Sequence, residues 1–228
     1  MLFACNSGSQ TSEAKDSSSG TAADTTAAVT APAFMPFDVV RIQFKVKDYA
    51  KWHDGFISHD SARLANGIHK YVVDRGLGAD SNMVIVVSKI DDTQKTKTFY
   101  TSDYMKTAMK NGGIIGTPKF EYLHIIRNDT TTVPQDQRVS VTHHVKNFDA
   151  WLKVYDGEGK DARAANGTVD RAMARGLEDS NMVALVFIVT DMTKAKARIA
   201  SPDLKKLMTD AGVDSAPDIV FYRLVERF

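Results

Sequence analysis

The chain has 228 residues, enough for one large domain or two small ones, and its 43% hydrophobic and 25% charged residues are those of a globular protein with a core of its own. Its formal net charge of +1 provides no global field that would draw it to nucleic acid or to an acidic surface. One cysteine, Cys5, excludes an intrachain disulfide framework and a cysteine-rich metal site, so the folded part must live on its core.

From Asn6 to about Pro36 the composition is Ser, Thr, Ala, Gly and Asp. Such a segment has too little to bury to offset the entropy of ordering it, so residues 1–36 read as a tether. Its start, "LFAC" (Leu2 to Cys5), resembles a bacterial lipobox, in which cysteine follows a small residue and an aliphatic residue stands three before it. The resemblance implies lipidation at Cys5. The acyl chains would hold the protein at a membrane surface of the bacterial cell envelope, on its periplasmic or outer-membrane face. Without lipidation, the same sequence fits a cytoplasmic protein.

Beyond the tether the chain repeats itself. "ARLANG" at Ala62 returns as "ARAANG" at Ala162, and "RGL" at Arg75 returns at Arg175. "DSNMV" at Asp80 returns at Asp179, and Trp52 aligns with Trp151. Matches in order over both halves define an internal repeat, 37–128 and 137–228, joined by the polar linker 129–136. Each copy reads strand, helix, strand, strand, helix, strand. The first strand alternates, with Ile42, Phe44 and Val46 on one face and Arg41, Gln43 and Lys45 on the other. Asp48 and Asn147 are placed to cap the helix that follows. Tyr49, Trp52 and Phe56 form its apolar stripe, and Asn66-Gly67 and Asn166-Gly167 end it in each copy. The second strand covers about His69 to Arg75. The second helix is expected to run unbroken from about Thr93 to Lys110, and Pro118 to open the fourth strand.

The third strands, "MVIVV" at Met83 and "MVALVFIV" at Met182, are continuously apolar. A sheet with one wet face would alternate, so these strands are expected to be covered on both faces. Helices cover one face, and the sheet of the other copy is left for the second. The expected fold is therefore α+β, two tandem βαββαβ units packed sheet to sheet. This pattern resembles the dimeric α/β-barrel (ferredoxin-like) superfamily, carried by "VKDYAKWHDGFISHDSARLANG", the "DSNMV" strand start and "ASPDLKKLMTDAGV" at Ala200. The superfamily includes antibiotic-biosynthesis monooxygenases, haem-degrading oxygenases and chlorite-dismutase-like proteins. Its members are usually single units that dimerise, so the resemblance implies an intrachain pseudo-dimer. The sequence leaves further oligomerisation open.

Candidate chemistry sits where polar residues interrupt apolar faces. His59 and Arg63 continue the stripe of Trp52 and Phe56. Histidine carries protons near neutral pH, and arginine holds a carboxylate or an enolate oxygen. In the second copy Tyr155 is followed by Glu158 and Arg163, with no histidine. His143 replaces Phe44 on the apolar face, while its neighbour His144 points the other way. Tyr71, on the second strand, is expected within reach of the first helix, and His124 and Arg223 on the rim. These residues suggest a binding module for a small molecule or a protein partner, with a ligand site lined by Trp52, His59, Arg63, Tyr71, His143, Glu158 and Arg163. An alternative is a cofactor-free monooxygenase- or isomerase-like enzyme with His59 as proton carrier and Arg63 as anion holder. No dinucleotide, phosphate-loop or zinc motif is present, so no cofactor, metal or nucleic-acid partner is expected.

Overall fold

The computed structural model describes residues 34–228; Cys5 and the tether segment up to Ala33 lie outside the described residues. The described part is one compact unit, Phe34–Phe228. Its first half carries β1 (Phe37–Val46), α1 (Tyr49–Ser58), α2 (Asp60–Leu64), β2 (Ile68–Gly76), β3 (Met83–Ile90), α3 (Thr93–Thr101), α4 (Asp103–Asn111) and β4 (Ile114–Asn128). Its second half carries β5 (Gln137–His144), α5 (Phe148–Glu158), α6 (Lys160–Ala165), β6 (Thr168–Gly176), β7 (Met182–Val189), α7 (Met192–Ile199), α8 (Pro202–Asp210) and β8 (Asp218–Arg227). Both halves run βαββαβ, each helical connection being split into two short helices.

The eight strands close into an antiparallel barrel in the order β1-β3-β2-β8-β5-β7-β6-β4. Each repeat contributes a four-stranded ferredoxin-like sheet. The two sheets face each other across the interior, and their edges are zipped by β2–β8 and by β4–β6. Closure removes every free edge, which in an open sheet would template pairing with other chains.

Two layers of core follow. Outside the barrel, each sheet is covered by its own helices: Val40, Ile42, Phe44, Val84 and Val86 meet Trp52, Phe99 and Met105 in one repeat. In the other, Val139, Leu185 and Phe187 meet Phe148, Trp151 and Ala195. Inside the barrel lie Val39, Leu123, Ile125, Ala174 and Ala184, with Met83, Ile85 and Tyr222 beyond them. The apolar third strands are thus covered on both faces: Val84 and Val86 point to the helices, Met83 and Ile85 to the interior.

The repeated words of the sequence mark local constraints. Asn66 and Asn166 each donate a side-chain N–H to the carbonyl four residues back, at 2.8 Å. The glycines that follow have φ of +68° and +81°, a conformation L side chains rarely adopt. A Cβ on Gly167 would also fall 2.5 Å from the Asp191 carbonyl oxygen. The hexapeptide ends a helix and turns the chain tightly onto the sheet, once in each repeat. Asp48 and Asn147 cap the first helices by accepting from the amides of Lys51 and Ala150.

The helices differ from the sequence reading in one respect. The first helix breaks at His59, and the second breaks at Ser102, whose hydroxyl accepts from the Met105 amide and caps α4. In the second copy the corresponding break is fixed by Pro202 in the first turn of α8, since proline has no N–H to give to a helix interior. β4 also begins earlier than Pro118, at Ile114, and accommodates the proline beside a register shift against β1 between Gln43 and Lys45.

Candidate functional site

Each repeat has a cleft between the outer face of its sheet and its helices, and the two differ. The first, about 70 Å³, is nearly filled. Phe44 from β1 and Trp52 and Phe56 from α1 form a run of rings with centroids 5.5 and 5.2 Å apart. Tyr100 from α3 closes the other side against Phe120 at 5.4 Å. His59 and Arg63 stand at the mouth and are both engaged. The His59 Nδ1 lies 2.6 Å from the Gly55 carbonyl oxygen, and its ring meets Tyr104. Arg63 is only 3% exposed. It donates to the Phe56 carbonyl at 2.5 Å and to Asp60 at 3.2 Å, and its guanidinium sits 4.0 Å over the Phe56 ring. Burial lowers its pKa. Lys70 completes the cluster by donating to Asp60 at 2.8 Å.

The second cleft is about 120 Å³. Two of the exchanges between aligned positions replace a larger side chain by a smaller one: His143 stands where the first repeat has Phe44, and Ile199 where it has Tyr100. Its walls are Val139, Val141 and His143 on β5, Leu185 on β7, Trp151 on α5 and Leu207 on α8. His143 is 4% exposed. Its ring meets Trp151 edge to face at 5.6 Å, and neither ring nitrogen has a hydrogen-bond partner among the described residues. Burial without a counter-charge pushes its pKa down to about 4, so the imidazole is neutral at pH 7.

The rim of this cleft is a fixed ion network. Arg163 donates to both oxygens of Asp170, at 2.7 and 2.8 Å, and to the Tyr155 carbonyl at 2.9 Å. Its guanidinium lies 4.0 Å over the Tyr155 ring. Burial is the largest single effect and would lower its pKa, but the hydrogen bonds to Asp170 together with the neighbouring Tyr155, Asp170 and Glu158 outweigh it, so the net shift is upward. Glu158 accepts from Arg198 at 2.7 Å and approaches Arg163 at 3.5 Å.

The structure therefore brings Trp52, His59 and Arg63 together in one cleft and His143, Glu158 and Arg163 together in the other. Tyr71 joins neither, and the expectation that it reaches the first helix is corrected. The β2–β3 register shifts between Lys70 and Val72, so Tyr71 and Val72 both line the barrel interior. There the Tyr71 hydroxyl accepts from Asn128 at 3.1 Å. His124 Nδ1 lies 2.6 Å from Asp38, and Arg223 is exposed on β8. His144 Nδ1 lies 2.6 Å from Asp214, which raises its pKa, on the opposite face of β5 from His143.

Sequence reasoning missed the polar content of the barrel interior. Arg41 donates to Glu121 at 2.5 Å and to Ser140 at 3.3 Å. Asp74 and Arg138 are buried nearby. Arg41 alternates with core residues on its strand, a pattern that reads the same for a wet face and for the inside of a closed barrel.

Among solved structures, an anthrone oxidase-like protein is 16% identical, with 83% of this chain aligned to 92% of that one and a TM-score of 0.54. A candidate monooxygenase from Fusobacterium nucleatum subsp. nucleatum is 10% identical, with 83% of this chain aligned to 93% of that one and a TM-score of 0.52. A second candidate monooxygenase, from Lactobacillus acidophilus, is 14% identical over the same shares, with a TM-score of 0.50. No family model matches the chain, and no curated protein matches its sequence. At these identities the likeness establishes the fold: a ferredoxin-like α+β architecture shared with monooxygenase-like proteins, here as two tandem repeats in one chain.

Proposed function

We propose that the protein binds a small, largely apolar molecule in the cleft of its second repeat, with His143 as the polar contact. The observation that carries this reading is the unpartnered imidazole on the wall of an enlarged apolar cavity. A buried polar group without a partner costs about 1–3 kcal/mol, and a ligand that hydrogen-bonds it recovers that cost. A neutral imidazole has one donor and one acceptor nitrogen, which suits a hydroxyl or carbonyl rather than a carboxylate. The volume is of the order of the roughly 150 Å³ apolar cavity known to admit benzene, so the buried part of the ligand is about one ring in size. The fold neighbours named for monooxygenase chemistry support a small-molecule site in general.

The test is the native mass of the full chain purified from its own host, set against its denatured mass. An excess released on denaturation is expected, and its fragmentation identifies the ligand. Equal masses, together with no binding of small phenols or ketones by the purified protein, would reject the reading.

A second reading is favoured by the same histidine. The accepting nitrogen of its neutral imidazole can take a hydrogen bond from a ligand hydroxyl, so a cofactor-free monooxygenase- or isomerase-like activity would place its base at His143, with the anion left on the ligand offsetting the burial that otherwise weakens that base. His59 and Arg63 suit that role less well, because each is already committed to the backbone of α1. Turnover of the recovered ligand that survives His143→Gln would eliminate this reading. We further propose that Cys5 anchors the protein in the cell envelope, on the strength of "LFAC" and the spacer after it. Labelled palmitate incorporated by the wild type and not by Cys5→Ser is the expected outcome.

A further inference from the structure

The barrel interior holds a second cavity, about 100 Å³, at the end spanned by the linker between repeats. Charged groups from both repeats line it without touching one another. Asp74 from β2 is 4% exposed, and its carboxyl has neither a salt bridge nor a side-chain hydrogen bond among the described residues. Arg138 from β5 is 6% exposed. Its Nη1 donates to the carbonyls of Gln135 and Gln137, at 2.7 and 3.0 Å, and its other nitrogens have no protein acceptor among the described residues. Arg171 from β6 and Arg227 from β8 complete the lining at the rim, and Arg171 donates to the Thr131 carbonyl of the linker. Arg41 is neutralised separately by Glu121.

The charges do not balance. One carboxyl shares the lining with three guanidiniums, and neither Asp74 nor Arg138 has a side-chain partner among the described residues. Mutual repulsion is felt: Arg138 and Arg171 have lowered pKa values, through burial first and through Arg227 in addition. A buried charge is tolerated when it is paired and hydrogen-bonded. The missing partner must be anionic, must accept hydrogen bonds from several sides, and must fit a space of a few heavy atoms.

We infer that this interior cavity is a binding site for a small oxyanion, a phosphate or a short carboxylate, held by Arg138 with Arg171 and Arg227 and by a hydrogen bond from the Asp74 carboxyl. Burial raises Asp74 to about 7, against the lowering effect of Arg138, Arg41 and Arg227, so near neutral pH it has a proton to donate. The site draws on residues of both repeats and exists only in the closed barrel. It is separate from the helix–sheet cleft and stands or falls independently of it.

The test is calorimetric titration of the full chain with inorganic phosphate and, separately, with acetate, at pH 6 and an ionic strength fixed with sodium chloride. One site per chain is expected for at least one of them: phosphate alone assigns a tetrahedral oxyanion, acetate alone a carboxylate. Arg138→Gln is expected to weaken binding at least tenfold, with unchanged circular dichroism, while His143→Phe leaves it unchanged. If Arg138→Gln does not fold, the rim variant Arg227→Gln serves, with a severalfold loss expected. No heat from either anion with the wild type, or wild-type affinity in the folded arginine variant, would overturn the inference.

Discussion

The two helix–sheet clefts share a backbone plan and differ in what fills them. The first repeat plugs its cleft with Phe44 and Tyr100; the second opens it with His143 and Ile199 and leaves an imidazole without a partner. At the mouth the pattern reverses. Arg63 has a nitrogen, Nε, with no partner, whereas Arg163 is clamped by Asp170. Two copies of one unit thus differ in packing, with about 70 Å³ of space in the first cleft and about 120 Å³ in the second.

The comparison can be broken first at the residue the clefts share. Trp52 and Trp151 are each buried against their sheets, and replacing either by alanine is expected to cost about 3–5 kcal/mol in denaturant unfolding. Losses equal within about 1 kcal/mol would keep the divergence local to the exchanged positions; a much smaller loss at Trp151 would extend it to the whole second core.

The next test uses pH, because two buried groups oppose each other. The folded-state pKa of His143 is depressed from 6.5 to about 4, so its contribution is present above pH 6.5 and lost as the pH falls toward 4, about 3 kcal/mol in all. Asp74 is raised from 3.8 to about 7, so its contribution is present below pH 3.8 and lost as the pH rises through 7, about 4 kcal/mol. In the wild type the slopes largely cancel between pH 4 and 6.5. Asp74→Asn should leave stability rising with pH over that window, and His143→Phe should leave it falling. Parallel profiles for both variants would show that neither group is buried as described.

Filling the second cleft sharpens the comparison further. Ile199→Tyr restores the residue of the first repeat. Since room exists, its effect on stability should fall below the roughly 1–3 kcal/mol of an overpacked core. Ligand binding should be lost while the melting temperature moves by only a few degrees. The smallest effect is expected at the surface pair between the repeats, Lys97 with Glu178: Lys97→Ala should change stability by no more than about 0.5 kcal/mol, and less at high salt.

Much of the fold was legible because the chain states it twice. Matching "ARLANG" to "ARAANG" and the two apolar third strands led to paired sheets covered by helices on their outer faces. The breaks at His59 and Ser102 were not read, although for the second of them Pro202, directly after the aligned Ser201 of the second copy, carried the sign. The bulge at Tyr71 was not readable, since one extra residue in a strand leaves no mark on its composition. Among candidate residues, His143 was singled out by its replacement of Phe44, a local signal. Arg41, Asp74 and Arg138 were not singled out. A polar residue alternating with apolar ones looks the same whether its face meets water or the inside of a barrel, and only closure decides which.

The most direct test of the divided clefts uses the only two tryptophans, one on each cleft wall. Phenol, one ring with one hydroxyl, would be titrated into Trp52→Phe, which reports from Trp151, and into Trp151→Phe, which reports from Trp52, with excitation above the phenol band. The account predicts a saturable change in the emission of Trp151, abolished by Ile199→Tyr, and no saturable change from Trp52. A saturable response from Trp52 with none from Trp151 would contradict it.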